Sequence, residues 1–331
     1  MEVLMADTFF PVVYSVLASS ALIAKVLPCY GLEDVQACRF WHRGLSDIYL
    51  VETPTQRYIL RVSHSHWRTK SDIDFELDLL EFLRQHGIPV AYPIRTREQT
   101  LSIAISAPEG IRYATLFVHA PGNVALGDLN PAQSYKLGET VALLHQVALE
   151  FRCKTQRQPL TLDHLLDDSF RTIAPFLAAK AADLDYLTEA MFQIKSQLHD
   201  FPQEPPFWSV CWGDPHSGNV HFTSDGQLML FDFDQCGYGW RIFEIAKFLQ
   251  ISLTTGLATK VREAFIEGYQ SITQLMNDEI AALQAFTEAA HIWAWGIGLQ
   301  SAALHDYCRL DHHYFHHRLE QLKMLRSPDW K

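Results

Sequence analysis

The stretch CWGDPHSGNVHF, residues 211–222, sets an aspartate, a histidine and an asparagine within one short loop. Asp214 and Asn219 stand five residues apart, and Asp232 follows thirteen residues after Asn219, inside FDFD, residues 231–234. Two oxygen ligands of different charge, together with a third carboxylate free to take a proton, meet the needs of metal-assisted phosphoryl transfer. Magnesium prefers hard oxygens, and an attacking hydroxyl needs a base. The alternative is structural: Asp214 and Asn219 would satisfy turn backbone, while Asp232 and Asp234 would alternate outward on an edge strand. Continued alternation puts Asp232 and Asp234 on one face and Phe231 and Phe233 on the other. Two carboxylates at the end of an otherwise apolar strand repel one another, and a cation is the usual remedy.

Such residues need a frame. NVHFTSDGQLMLFDFD reads as strand, Asp-Gly turn and strand, a hairpin that returns Asp232 beside the loop. Upstream, SDIYLVET and RYILRV are short alternating runs separated by PTQ, and LSIAIS and RYATLFV are separated by APEG, so each pair predicts a hairpin. Between the pairs, SDIDFELDLLEFLRQHGIPV predicts a helix with acidic residues in its first turns and Gly87 past its end. APGN, residues 120–123, reads as a linker, and PAQSYKLGETVALLHQVAL opens a helical region with a proline suited to a first turn. Beyond Trp240 the pattern is helical again. The layout is α+β in two lobes: a small sheet lobe with one inserted helix, residues 1–119, and a larger, mainly helical lobe, residues 120–331.

The chain has 331 residues, of which 48% are hydrophobic, enough for one or two substantial cores. A formal net charge of -11 argues against nucleic acid as a partner, because neutralising phosphates needs a basic face. The six cysteines form no C-x-x-C pair, which fits reduced thiols and a cytoplasmic setting. The apolar start, FFPVVYSVLASSALIAKVLP, follows acidic Glu2 and Asp7 rather than a basic leader, and Pro11 interrupts it. Residues 21–30, followed by Gly31, read as an ordinary helix with a glycine stop. No uninterrupted apolar run of about 18 residues predicts a membrane span.

WGDPHSGN and FDFD resemble the signature of the aminoglycoside phosphotransferase and choline kinase family, which shares the protein-kinase-like fold and usually reads H-G-D-x-H-x-x-N followed by D-x-D. The resemblance extends through LGETVALLH and RIFEIAKFL. RYILRV, HGIPVAYPI and HIWAWGIG bring it closest to the stress-response kinase A and homoserine-kinase-like branches. It implies Asp214 as catalytic base, Asn219 and Asp232 as magnesium ligands, His216 as a support for the loop with Asp234 beside it, and ATP and Mg2+ as cofactors. Two residues depart from the pattern. Trp212 replaces the usual histidine and cannot accept a hydrogen bond, and Glu244 stands where aspartate is usual. Both bear on how firmly the loop is held.

The resemblance also implies a nucleotide-binding N-terminal lobe. In RYILRV, Ile59 and Arg61 share a face, so that an apolar side chain meets a flat base and a cation meets phosphates. The family generally has lysine at Arg61, and a surface arginine on an edge strand is the plainer reading. Glu76 falls on the stripe of Ile73, Leu80 and Leu83, where a carboxylate needs a partner, and pairing with Arg61 would resemble the ion pair that orders kinase sites. RGLSDIYLV, with Gly44 and Ser46, occupies the place of the nucleotide-covering loop. In TLFVHAPG, backbone groups of Phe117, Val118 and His119 through Ala120 could meet an adenine edge.

One further cluster, HDYCRLDHHYFHHRL, offers His305, then His312 with His316 and His313 with His317 at helical metal-pair spacing. Without a third ligand at a defined spacing it reads as a C-terminal helix with a histidine-rich exposed face. Trp293 and Trp295 read as core or pocket wall. The leading expectation is an ATP- and Mg2+-dependent phosphotransferase acting on a hydroxyl of a small amino-containing metabolite, with homoserine, choline and aminoglycosides as types of acceptor, and with no nucleic-acid or membrane partner. A serine/threonine protein kinase with a protein substrate is the first alternative, and a non-catalytic nucleotide-binding scaffold is the second.

Overall fold

The computed structural model describes residues 11–125, 128–304 and 310–330. Contacts divide the chain into two compact units. One comprises Met1–Lys70, Pro93–His119 and Ser301–Tyr307, and the other Ser71–Tyr92, Ala120–Gln300 and Cys308–Lys331.

The first unit is built on an antiparallel sheet of β1 (Ala37–Arg43), β2 (Ser46–Glu52), β3 (Arg57–Ser63), β4 (Ile103–Ala107) and β5 (Gly110–Val118), in the order β1-β2-β3-β5-β4. Both hairpins read from the sequence, β2 with β3 and β4 with β5, are present. Alternation turns Tyr49, Val51, Leu60, Val62, Ala114 and Leu116 to one face, where they bury against Leu22, Val26, Leu27 and Tyr30. These last residues come from α1 (Ser19–Lys25), from Val26, which follows it, and from the 3-10 turn Leu27–Tyr30, which stops at Gly31 with φ 66°. Asp47 lies on the same buried face. Its charge is met by Arg112, 2.8 Å away, and Arg112 also donates to the carbonyls of Ser63, Val62 and Ser15. A buried ion pair whose remaining donors are spent in this way avoids the desolvation cost of an incomplete one.

The second unit contains α2 (Lys70–Gln85) from Ser71 onward, and the burial of Ile73, Glu76, Leu80 and Leu83 follows the helical stripe. Next come α3 (Pro131–Ala148), α4 (Ser169–Leu177) and α5 (Ala181–Leu198). Asn130 and Gln133 form a reciprocal capping box that brackets Pro131, so three residues within four positions fix where α3 begins. Two small antiparallel pairs follow, β6 (Trp208–Cys211) with β9 (Gly237–Trp240), and β7 (Val220–Phe222) with β8 (Leu228–Leu230). The unit closes with α6 (Arg241–Thr255), α7 (Thr259–Ile272), α8 (Asn277–Leu304, to Gln300 in this unit) and α9 (His312–Leu325).

The hairpin of β7 and β8 turns at Asp225 and Gly226 as the sequence indicates, but its second strand stops at Leu230. FDFD is therefore not a strand end. Asp232 adopts φ 57°, which breaks the two-residue alternation on which a shared face for Asp232 and Asp234 depended. The histidines 312, 313, 316 and 317 lie exposed on α9, while Phe315 and Leu319 bury. His305 lies outside the described residues. Trp293 and Trp295 are both buried. Among the described residues, no helix is long and apolar enough to cross a membrane.

Helices α3 and α7 cross at backbone contact. A Cβ on Gly138 would lie 2.0 Å from the Phe265 carbonyl oxygen, and one on Gly268 would lie 2.0 Å from that of Tyr135. Ser134 Oγ locks the crossing by donating to the Val261 carbonyl at 2.7 Å. Gly138→Ala must push the helices apart, and overpacking of this kind costs about 1–3 kcal/mol. Thermal or urea unfolding should show that loss, and a midpoint equal to wild type would mean that the crossing is looser than described.

Candidate active site

The loop after β6 is shaped by Gly213. Pairing of Cys211 with Gly237 brings the chain after Asp234 back against the loop. Gly213 adopts φ 91°, and a Cβ there would fall 2.2 Å from the Gln235 carbonyl oxygen, so both conformation and space require glycine. Asp214 follows. Beyond it, His216 caps the short 3-10 turn Ser217–Asn219, its Nδ1 accepting the Gly218 N–H at 3.0 Å. That bond leaves Nε2 to carry the proton, and Nε2 lies 3.3 Å from Asp214 Oδ2. Asn219 Nδ2 donates to the Asp214 carbonyl and to Oδ2, both at 3.2 Å. Lys247 Nζ approaches the other carboxylate oxygen, Oδ1, at 3.4 Å. Burial pushes the Asp214 carboxyl up, but the Lys247 charge and the bond from His216 outweigh it and hold the group below its ordinary value.

The backbone of the loop hangs from α6. Glu244, fully buried, accepts the N–H of Trp212 at 2.5 Å and that of Gly213 at 2.9 Å, one on each carboxylate oxygen. Behind Glu244, His145 Nε2 stands at 3.5 Å, and His145 Nδ1 meets the Tyr269 hydroxyl at 2.9 Å. The α3–α7 crossing thus delivers a histidine and a tyrosine to the back of the carboxylate. Cys211 completes a buried group with His145 and Glu244 whose ligand atoms lie within 4.8 Å of one another. Each Glu244 oxygen already accepts a backbone N–H, burial and then the Glu244 charge push the Cys211 thiol well up, and the thiol donates to the Trp240 carbonyl at 3.3 Å.

Trp212 holds the other side. Its indole Nε1 donates to the carbonyls of Phe231 at 3.1 Å and Asp232 at 3.0 Å, and its ring stacks on Phe233. The Phe231 N–H donates to the Asn219 carbonyl at 3.0 Å. Asp232 is therefore pinned through its own carbonyl and through its preceding residue. The inability of Trp212 to accept a hydrogen bond does not loosen the loop, because only donation is used there.

Asp214, His216 and Asn219 accordingly form one hydrogen-bonded cluster, and Asp232 is joined to it through backbone bonds. Asp234 is buried nearby in sequence, its carbonyl accepting from Arg157, which also donates to the Asp72 carbonyl at 3.2 Å. In the first unit, Ile59 sits opposite Phe117 and Leu50, and Arg61 opposite Thr115 and Ile48, on the sheet face away from the α1 core. The Arg61 guanidinium lies 4.8 Å over the Phe117 ring. Val118 is opposite Tyr58 and by alternation faces the other way, while the His119 N–H reaches the Arg57 carbonyl at 3.4 Å. Gly44 and Ser46 form the β1–β2 turn through a 3.0 Å backbone bond, and a Cβ at Gly44 would meet only the His42 side chain, at 3.6 Å. That turn makes no demand for glycine. Glu76 is 2% exposed on α2, in the second unit, whereas Arg61 belongs to the first.

Lys247 was missed as a site residue, and so was the role of His145. The signal for Lys247 was its position three residues after Glu244 in RIFEIAKFL, which places both on one face of α6.

The family model described as "Phosphotransferase enzyme family" matches residues 37–286. A protein of Synechocystis sp. that carries no assigned function is 54% identical over 98% of this chain and 90% of its own length. Among solved structures, a microcompartment-associated aminopropanol kinase shares the fold with a TM-score of 0.76 at 19% identity, covering 92% of this chain and 94% of its own. An amicoumacin kinase in complex with AMP-PNP, Ca2+ and Ami does so with a TM-score of 0.74 at 21% identity, covering 92% of each chain. At these identities the structural likeness establishes the kinase-like fold.

The Trp212 bonds give a direct test. Trp212→Phe keeps an aromatic ring against Phe233 but removes the indole donor shared by the Phe231 and Asp232 carbonyls, at a cost of about 1–3 kcal/mol. Amide exchange across residues 231–234 should accelerate beyond the change expected from global destabilisation. If both the unfolding midpoint and the exchange match wild type, Trp212 is not what holds Asp232.

Proposed function

This chain belongs to the phosphotransferase enzyme family, and we propose that within it the protein moves the γ-phosphoryl group of ATP to a hydroxyl of a small amino-containing metabolite. The observation that carries this reading is the setting of Asp214: a carboxylate paired with Lys247, whose charge holds it below its ordinary value, and oriented by His216 and Asn219. A group held in that way is suited to align a hydroxyl and take its proton late, once the oxygen is bonding to phosphorus. The acceptor O–H proton passes to Asp214, the oxygen forms a bond to the γ-phosphorus, and the bond to the bridging oxygen breaks with ADP leaving. The name of one structural relative, an aminopropanol kinase, supports an acceptor bearing both a hydroxyl and an amine.

The donor set fits a hard divalent cation. Asn219 directs its amide nitrogen at Asp214, which turns its Oδ1 away to serve as a neutral oxygen ligand, and Asp232 supplies a carboxylate. When bound with ATP, Mg2+ would neutralise charge on the phosphates. In this assignment residues 1–119 form the nucleotide-binding lobe and 120–331 the catalytic and acceptor lobe. The face of Ile59 and Phe117 is assigned to the base, Arg61 to the phosphates that are not transferred, and Glu76 to the nucleotide-binding set. Gly44, Ser46, Val118 and His119 keep the roles of nucleotide-covering turn and adenine edge.

An ADP-release screen across amino alcohols, homoserine, sugars and aminoglycosides, with and without Mg2+, identifies the acceptor. With it, Asp214→Asn should bind ATP normally and lose roughly 100-fold or more in turnover, while Asp232→Ala should lose metal-dependent nucleotide binding. Turnover surviving in Asp214→Asn discards the base assignment. Label transferred from ATP to the protein itself, with no acceptor added, would instead favour the protein-kinase alternative.

A further inference from the structure

Lys247 is 4% exposed, and a buried ammonium is costly unless an opposite charge stands beside it. Among the described residues, Asp214 is the one carboxylate within ion-pair reach of its Nζ, and the Trp293 ring, 5.8 Å away, is its other favourable contact. The helix that carries Lys247 holds the catalytic loop residue by residue. Glu244 takes the N–H groups of residues 212 and 213, and Lys247, one turn further along, takes the side chain of 214.

The reaction proposed above, on which this inference rests, disturbs that pair. As the acceptor proton moves to Asp214, the carboxylate loses the charge that compensates Lys247. In the same event the acceptor oxygen, within hydrogen-bond reach of Asp214, gains a phosphoryl group whose oxygens carry negative charge. The ammonium therefore finds a new partner at the moment it loses the old one. An interaction that exists only as the phosphoryl group moves lowers the barrier rather than strengthening ground-state binding.

We propose that Lys247 is a further catalytic residue, whose ammonium exchanges Asp214 for the oxygens of the phosphoryl group in flight. Its place on α6 makes it a cation supplied from outside the GDPHSGN loop, fixed by the same helix that fixes the loop backbone.

The test uses the full chain and a mimic of the transferring phosphoryl group. MgADP affinity is measured by calorimetry with and without aluminium fluoride, for wild type, Lys247→Met and Lys247→Arg. Wild type should bind MgADP at least tenfold more tightly with fluoroaluminate. Lys247→Met should bind MgADP alone as wild type does, which also reports that it folds, yet lose most of the fluoroaluminate gain, and Lys247→Arg should recover part of it. A Lys247→Met protein that keeps the wild-type gain overturns the proposal, whether or not its melting temperature falls. A wild type without any gain overturns it as well. Failure of the base assignment would be visible separately, as turnover retained by Asp214→Asn with the Lys247 effect intact.

Discussion

Two backbone N–H groups in succession, at Trp212 and Gly213, point into the protein and must be satisfied there, and Glu244 satisfies both. Buried N–H groups without acceptors cost about 1–3 kcal/mol each, so this one carboxylate decides whether the loop holds its conformation. A buried carboxylate in turn needs support. The α3–α7 crossing, close enough to demand Gly138 and Gly268, places His145 behind it, with Nε2 at 3.5 Å and Nδ1 on the Tyr269 hydroxyl. The start of α6 is anchored independently by Arg241, which makes a two-point contact with buried Glu279 at 2.8 and 2.6 Å. Helix packing, polar network and loop geometry are thus one mechanical chain ending at Asp214.

The charges in that chain are ordered along α6. Glu244 faces neutral donors and behaves as a fixed acceptor, while Lys247, one turn later, faces a carboxylate and sets its state. Burial alone would push the Asp214 carboxyl up. Lys247 reverses the outcome. His216 adds a donor whose tautomer is fixed by the Gly218 N–H, and Asn219 adds another, so the carboxylate has a defined orientation before any acceptor arrives.

Much of this was legible in sequence where local chemistry decides structure. The two hairpins announced themselves through alternation, α2 through its stripe and Gly87, and α3 through Pro131, whereas the Asn130 cap that precedes it was not read. Asp214, His216 and Asn219 stand close together in the sequence, and the fold joins them by hydrogen bonds. Elements decided by their surroundings were not. β1 exposes everything from Arg39 to Arg43 and so lacks the alternation that marks a strand with one buried face. β6 and β9 are four residues each and exist because they pair with one another across 25 intervening positions. FDFD misled for a related reason: its alternation is real in the sequence, but Asp232 takes a left-handed conformation, which aspartate tolerates, and Trp212 donates to the carbonyls on either side of its peptide N–H. The role of Lys247 needed the crossing of α6 with the loop, which is tertiary.

The two departures from the family pattern can be judged by the bonds each position must make rather than by residue type. At 212 the demand is for a side-chain donor that reaches the carbonyls before and at Asp232. An indole N–H meets it, and the wider ring gains a stack on Phe233 that compensates in packing for the acceptor it lacks. At 244 the demand is for two acceptor oxygens beneath successive N–H groups. Glutamate meets that with an additional methylene, which carries its carboxylate to within 3.5 Å of His145 as well as to the loop. Substitution at one of these positions is therefore constrained by its partner, so an aspartate at 244 would be compatible with this loop only if α6 moved toward it, and α6 is held by Arg241 and Glu279 where it is.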